Sequence, residues 1–382
     1  MNLAWKDIRF NRTRFIVTVL GVGTLLSATL GMIGIYRGLV HDALLMIDEA
    51  DADLWVVQAK THGPFTEMSR VAGTLDRRIE GTPGVRKAHP FIQYNKQFVV
   101  GNKRQGLTIT GLDYPYDNGS WIPLVAGRYI STGHYEAIAD STSGMVMGDR
   151  LRLGADDYTI VGMTSGQVDF TGDAIVYVTI SDALRIDRDA TSEAVLLNRA
   201  AQSLSPQQPT DAGRPVSAVM VKLKSPGDAD KVRQIISGWG DVRVFSRAEQ
   251  HDIMLNGKLY KLRIQLLAFL IIMLAVTSAV VALSVYTTVI EKHHSIALLK
   301  LMGARDRIIS GMIVQYSLAV GALGMAVGQT LSMLVFPHFP RTVVIFKTDI
   351  LELALAVLVV CAASSWFGVS NAMKVRAQEI LA

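Results

Sequence analysis

The residues that could do chemistry in this chain are few and poorly arranged for it. His293 and His294 are adjacent. Neighbouring helix positions point about 100° apart, so the pair is a poor chelate, and no further His or carboxylate pattern completes a metal site. Both read as solvated helix-surface residues. Asp48, Glu49, Asp51 and Asp53 form an acidic cluster, for which a solvated face is the default. Asn118-Gly119-Ser120 matches a glycosylation acceptor but reads as a turn. The one cysteine, Cys361, excludes an intrachain disulfide and a cysteine-based metal site. The sequence contains no G-x-S-x-G, no H-E-x-x-H and no G-x-x-x-x-G-K-[ST]. It therefore offers no nucleophile elbow, no zinc-protease pair and no loop to cradle phosphate. No catalytic, cofactor-binding or metal-binding residue is assigned, and the chain reads as something other than an enzyme.

Apolar length is what the chain does carry. Four segments, at 15–35, 266–290, 308–336 and 350–369, each supply the roughly 20 apolar residues that cross about 30 Å of hydrocarbon as a helix. A buried core helix could account for one such segment but not for four. The first is long for a signal-peptide core, and no A-x-A cleavage site follows it. Small-xxx-small pairs lie in or beside the first and third segments: Ser27 and Gly31, Gly34 and Gly38, Ser317 and Gly321, Gly324 and Gly328. They predict close helix–helix contact rather than a specific dimer seam. Asp349 and Glu352 sit at one end of the fourth segment, where water is within reach. The spans lack a mid-membrane ionic relay of the kind an ion-driven carrier needs.

Charge orients the spans. Lys6, Arg9, Arg12 and Arg14 precede the first; Lys292, Lys300, Arg305 and Arg307 lie between the second and third; Lys374 and Arg376 follow the fourth. All fall on one side of a four-span arrangement, which the positive-inside rule makes cytoplasmic. Both termini are then cytoplasmic. The net charge of +5 sits beside the spans and suits lipid headgroups rather than nucleic acid. The expected organisation is a cytoplasmic amphipathic helix at 1–14, spans at 15–37, 263–290, 308–336 and 350–370, and an extracytoplasmic domain at 38–262. An inner loop at 291–307, a short outer loop at 337–349 and a cytoplasmic tail at 371–382 complete it. In the N-terminal segment Trp5 is placed at the membrane interface, with Lys6, Arg9 and Arg12 toward phosphate.

The inner loop reads EKHHSIALLKLMGARDRIIS. Ile296, Leu299 and Met302 recur at threes, with Leu298 and Leu301 beside them, which predicts an amphipathic helix that Gly303 ends. A short helix between two spans is placed to dock into a groove on a soluble partner. In the outer domain, 53–58 and 85–100 read as strands and 68–80 as helix-like. Far downstream, 218–224 and 242–245 read as strands around a helix at 228–237. These two β-α-β units frame an insertion at about 103–215. Its expected strands are 107–111, 151–153, 158–162 and 174–179, and 190–214 reads as a long polar loop.

These residues resemble a known family, the MacB/FtsX-type permeases of ABC transporters. The inner loop from Glu291 to Arg305 is similar to the family's E-R-x-x-E-I-x-x-L-x-x-x-G-A pattern, with Ser295 where Glu is usual. Gly148-Asp149, Leu151-Arg152-Leu153 and Tyr158-Thr159-Ile160-Val161-Gly162 resemble its G-D-x-[VL]-x-L…[FY]-x-V-V-G block. The ending from Asn371 to Leu381 is similar to its A-x-K-x-x-P-x-E-x-L tail, with Ala377 in place of Pro. Asp51-Ala52-Asp53-Leu54-Trp55-Val56-Val57 looks most like the DevC-type members.

The resemblance implies a fold of four transmembrane helices plus a large α+β extracytoplasmic domain with porter-like and sabre-like subdomains. It implies a homodimer in the bacterial inner membrane, bound to a separate ATPase subunit that carries ATP and Mg. The inner loop becomes the coupling helix, with Glu291, Lys292, Ile296, Leu298, Leu299, Leu301, Gly303 and Arg305 as candidate coupling residues. Function is expected to be ATP-driven mechanotransmission that exports an amphiphile (glycolipid, lipid-like or small molecule), with a periplasmic adaptor (membrane fusion protein) and a TolC-like outer-membrane duct. The alternatives are an FtsX-like regulator of cell-wall hydrolases, whose outer domain is normally much smaller, and a lipoprotein-releasing permease with the same layout.

Overall fold

The computed structural model describes residues 12–101, 103–189, 214–291, 306–339 and 341–373. In chain order its helices and strands are α1 (Arg12–Glu49), β1 (Leu54–Gln58), α2 (Leu75–Glu80), β2 (Val85–Val100), β3 (Lys103–Leu112), β4 (Leu124–Gly127), β5 (Glu136–Asp140), β6 (Arg150–Leu153), β7 (Asp156–Thr164), β8 (Ala174–Thr179), α3 (Ile180–Asp189), β9 (Ala218–Leu223), α4 (Ala229–Ser237), β10 (Val242–Ser246), α5 (Arg247–Asp252), α6 (Tyr260–Glu291), α7 (Asp306–Val335) and α8 (Lys347–Met373). They divide into two units, residues 1–38 with 261–382, and residues 39–260.

In the first unit, four helices are long and apolar enough to cross a membrane. Val22, Leu26 and Leu30 of α1 pack with Val281 and Val285 of α6, Ile313 and Val320 of α7, and Leu353 and Val357 of α8. The small residues lie at the closest approaches. Ser27 and Ser332 hydroxyls are 3.0 Å apart, joining α1 to α7. A Cβ on Gly328 would stand 2.8 Å from the Gly23 carbonyl, and one on Gly324 would stand 2.8 Å from Val22. Between α7 and α8, Ser317 Oγ donates to the Cys361 carbonyl at 3.0 Å. A Cβ on Gly321 would meet Cys361 Sγ at 2.5 Å. Close packing of this kind supplies the dispersion contacts that hold helices together in lipid. The segment before α8 crosses α1 where Gly34 and Gly38 leave room: Val344 N donates to the Gly34 carbonyl at 3.1 Å, and a Cβ on Gly38 would overlap the Thr342 carbonyl.

One expectation is corrected here. Asp349 does not reach water; it is 1 % exposed. The Arg37 guanidinium holds it with bonds of 2.6 and 3.1 Å, and Arg37 also lies 5.0 Å from the Phe346 ring centroid. The Phe346 N–H donates to Asp349 Oδ2 at 3.0 Å. A buried carboxylate persists here because each oxygen has a donor. Glu352, three residues on, is exposed.

The second unit is built on a ten-stranded sheet in the order β10-β1-β9-β2-β3-β8-β5-β7-β4, with β6 paired to β7. β3–β8 and β5–β7 are parallel, and the other pairs are antiparallel. β2 is sixteen residues long and serves both parts of the sheet: its first half pairs with β9 and its second half with β3. Strand alternation sorts the core. Leu54 and Val56 pack with Leu75 and Ile79 of α2 and with Val232 and Ile236 of α4. Trp55 and Val57 point to the other face, with Phe91 and Tyr177. Such continuous apolar runs are expected of strands covered on both faces.

Several details depart from the sequence reading. The helix-like stretch 68–80 is helical only from Leu75, because Val71 bridges Val216 across an extended segment. β4, β5 and α3 were not anticipated. β5 (EAIAD) hides its signal behind a buried glutamate, since Glu136 is paired with Arg128 and accepts from Ser131 N at 2.8 Å and Thr132 N at 3.2 Å. The Arg128 hydrogen bond, opposed by burial and aided by the two backbone N–H groups, lowers the Glu136 pKa to about 2.

A depressed carboxyl pKa stabilises the fold above its ordinary value near 4.5 and loses that contribution as pH falls through about 2. Arg128→Met is therefore expected to raise the Glu136 pKa and move acid unfolding to higher pH. Because Arg128 is half exposed, the cost near neutrality is about 1 kcal/mol. Acid-unfolding midpoints by circular dichroism check this; identical midpoints in the two proteins would remove the pair from the account.

Candidate coupling and transmission residues

The helix α1 is 38 residues long, so it extends roughly 57 Å, well beyond the hydrocarbon thickness. Its described part begins at Arg12, which is exposed, so residues 12–14 of the segment expected as an N-terminal helix at 1–14 belong to α1; the rest of that segment lies outside the described residues. It also continues past the expected end of the span at 37. Nothing between Leu39 and Glu49 breaks a helix, and Leu39, Ala43, Met46 and Ile47 recur on a face that is buried in the second unit.

At its first turns Arg14 donates to the Glu291 carboxylate and to Thr287 Oγ1 of α6. Phe15 meets Tyr316 of α7 edge-on at 5.8 Å, and Ser284 of α6 hydrogen-bonds both Tyr316 (3.2 Å) and Thr18 (3.4 Å). Three helices are thus cross-tied beside the point where α6 hands over to the inner loop. Glu291 is the one predicted coupling residue the structure describes. Lys292, Ile296, Leu298, Leu299, Leu301, Gly303 and Arg305 lie outside the described residues, as do Trp5, Lys6 and Arg9. The long polar loop read at 190–214 falls outside them too, apart from Arg214.

At the other end of α1 the acidic cluster is not a bare solvated face. His251 meets Asp48 at 2.7 Å. Gln167 Nε2 donates to Glu49 at 2.7 Å, and Tyr177 OH donates to Gln167 Oε1 at 2.7 Å. Tyr177 is fully buried, and desolvation pushes its pKa well above the ordinary value. The last turn of α1 is therefore wired into β8 of the sheet by a short polar chain. Lys222 donates to Asp51 (2.6 Å) and Asp53 (3.4 Å), and its hydrogen bond to Asp51 raises the lysine's pKa. Arg247 donates to the carbonyls of Ala50 (3.3 Å) and Ala52 (3.2 Å), closing the turn between α1 and β1. The sequence does not mark Gln167, Tyr177 or Arg247: Gln167 lies 118 positions from Glu49, and Arg247 lies 197 and 195 positions from Ala50 and Ala52.

No group of three or more potential metal ligands occurs among the described residues. One unbroken helix is tied by side chains at both of its described ends.

Residues 15–238 match the MacB-like periplasmic core domain, and residues 267–377 match the FtsX-like permease C-terminal domain. An uncharacterized ABC transporter permease of Mycobacterium tuberculosis (strain ATCC 25618 / H37Rv) is 26 % identical over 346 residues, 90 % of this chain and 88 % of that one. A protein named as the hemin transport system permease HrtB, from Staphylococcus epidermidis (strain ATCC 12228 / FDA PCI 1200), is 23 % identical over 89 % of this chain and 87 % of its own length. Among solved structures, the periplasmic region of MacB from Actinobacillus actinomycetemcomitans covers 55 % of this chain and 96 % of its own, at 13 % identity and a TM-score of 0.36. The extracellular domain of the noncanonic ABC-type transporter YknZ from Gram-positive bacteria covers 51 % of this chain and 99 % of its own, at 12 % identity and a TM-score of 0.34. With the core-domain match alone covering more than half of the chain and the C-terminal match taking in three of its four long apolar helices, this protein belongs to the MacB/FtsX-type family of ABC transporter permeases.

Proposed function

We propose that this permease is the membrane subunit of an ATP-driven exporter, in which α1 carries motion from the cytoplasmic coupling loop to the outer domain. The observation that carries the reading is the unbroken helix Arg12–Glu49, held to Glu291 at its start and to Gln167 near its end. An ABC permease works with an ATPase, and in this reading ATP and Mg belong to that partner, in keeping with a sequence that has no G-x-x-x-x-G-K-[ST]. The finer parts of the proposal follow the family resemblance: a homodimer in the bacterial inner membrane, both termini cytoplasmic, residues 38–262 outside, DevC-like affinity, and a periplasmic adaptor with a TolC-like duct. The coupling assignment extends to Glu291, Lys292, Ile296, Leu298, Leu299, Leu301, Gly303 and Arg305, and the interface assignment to Trp5, Lys6, Arg9 and Arg12. An amphiphilic cargo is supported by the relative named for hemin transport, hemin being an apolar ring system with carboxylates.

Two measurements test the proposal together. Reporter fusions after Lys300 and Ala382 are expected to be cytoplasmic and one after Gly166 external; a cytoplasmic Gly166 reporter overturns the topology. Purified chain without its companion is expected to show no ATP turnover. Turnover at ordinary transporter rates by the chain alone would sink the permease assignment.

A further inference from the structure

The second unit contains a cleft of about 360 Å³ to which no role has been given. That volume is in the range of small-molecule sites. Its floor is buried and mostly apolar, with Met46, Val168, Ile175 and Met254. Phe65, Tyr94 and Phe170 bring aromatic rings to its walls, and Met68 stands 78 % exposed at its edge. An apolar cleft with ring faces suits the body of an amphiphile. The charges that line it decide the head.

Four charged side chains line the cleft: Asp42, Glu67, Asp169 and Lys258. Three are carboxylates. Asp42 is 7 % exposed. Asp169 accepts hydrogen bonds from Thr108 Oγ1 (2.8 Å), Thr171 N (2.8 Å) and Asp173 N (3.0 Å). Glu67 accepts from His62 N at 2.9 Å. The balance of the lining is negative, and the π faces add negative potential. Both favour a cation.

The protein itself shows where a cation sits. The Lys258 ammonium lies 4.1 Å from the centre of the Phe170 ring. No carboxylate lies within 4 Å of that ammonium among the described residues. Burial at this spot pushes its pKa down, with the Asp169 charge working against the shift. The residue as a whole is nonetheless exposed, so its long stem can carry the ammonium back to water. Lys258 is a built-in surrogate for a ligand head.

We propose that this cleft binds a cationic amphiphile, whose ammonium displaces Lys258 from Phe170 beside Asp169 and Asp42 while its apolar body lies on Met46, Ile175 and Met254. The site belongs to the outer unit alone. Treating its ligand as cargo would rest on the export reading; binding itself does not.

The test is saturable binding to the full-length protein in phosphatidylcholine nanodiscs, by calorimetry corrected for empty discs, without ATPase or ATP. Failure of binding is thus separable from failure of transport. The probes are dodecyltrimethylammonium and dodecyl sulfate below their micelle concentrations. The cation is expected to bind, and more tightly than the anion. Phe170→Ala is expected to weaken it about 2- to 30-fold, and Asp42→Asn to weaken it as well. Lys258→Gln, a surface change that spares the fold, is expected to strengthen binding by removing the competitor. Tighter binding of dodecyl sulfate, or loss of cation binding in Lys258→Gln, overturns the proposal. So does cation uptake that none of the three variants changes, since that is partition into lipid.

Discussion

Leu299→Asp is expected to abolish transport and association with the ATPase while the protein still reaches the membrane and dimerises. On the proposed coupling assignment, Leu298, Leu299 and Leu301 of the inner loop would be the anchors of a helix-in-groove interface. A few central apolar anchors dominate most such interfaces, so truncating the three in turn should find at least one worth about 2 kcal/mol or more. A buried aspartate at that position adds the cost of an unpaired charge, so the Asp variant loses more than the Ala variant. Gly303→Val should impair coupling separately, because a β-branched residue resists the left-handed conformation that ends a helix. On the proposed reading the loss would reach beyond the loop, because Arg14 of α1 is bonded to Glu291 and Thr287 of α6. If the leucines only packed on lipid or on the protein's own spans, the Asp variants would misfold or vanish from the membrane. Full-length, dimeric variants with normal ATPase binding and transport would refute the assignment.

The parts of this fold that were legible in the sequence are those with a local physical signature. Four apolar stretches announce themselves by length alone. In the outer unit, β1 and β9 show as β-branched runs, and α4 shows as an amphipathic turn between strands, because the periodicity is written in adjacent residues. The 174–179 run predicted β8 to the residue, since all six of its side chains are buried. What the sequence concealed depends on distance or compensation. β5 begins with a glutamate that only a remote arginine makes tolerable. The extent of α1 was missed because a span was expected to end with its hydrophobicity, whereas the helix continues on a second apolar face that packs in the outer unit.

The candidate residues divide in the same way. The inner loop stands out in sequence because its ridge is periodic, although the structure describes only Glu291 of it. Gln167 and Tyr177 could not be found that way: their role arises from β8 and the preceding loop being folded against Glu49, 118 positions from Gln167. The acidic cluster illustrates the limit most plainly. Four carboxylates within six residues look like one solvated feature, yet His251, Gln167 and Lys222, from three different segments, hold them separately.

Removing the Arg37 partner is the other substitution expected to act strongly. Asp349→Ala leaves the Arg37 guanidinium at the outer end of the spans without its carboxylate and strips the Phe346 N–H of its acceptor. Breaking one side of a buried ion pair costs about 3–5 kcal/mol; Arg37 is 39 % exposed, which moves the expectation to the lower end of that range. The carboxylate also sits in the first turn of α8, where the helix dipole favours a negative charge. Asp349→Asn retains an acceptor for Phe346 N–H but not the charge, so it should fall between the wild type and Asp349→Ala. Arg37→Met alone leaves a buried carboxylate uncompensated and should be as damaging as Asp349→Ala. The double substitution Arg37→Met with Asp349→Leu should recover much of the loss, since two apolar side chains of similar volume need no pairing. The segment before α8 crosses α1 at Gly34 and Gly38, so loosening α8 should also free that crossing and raise protease sensitivity at 341–346. Denaturation in mixed micelles and limited proteolysis read both effects. Single variants as stable as the wild type would show that packing alone holds α8 to α1, whereas a double variant no better than the singles would locate the cost in lost shape rather than lost charge.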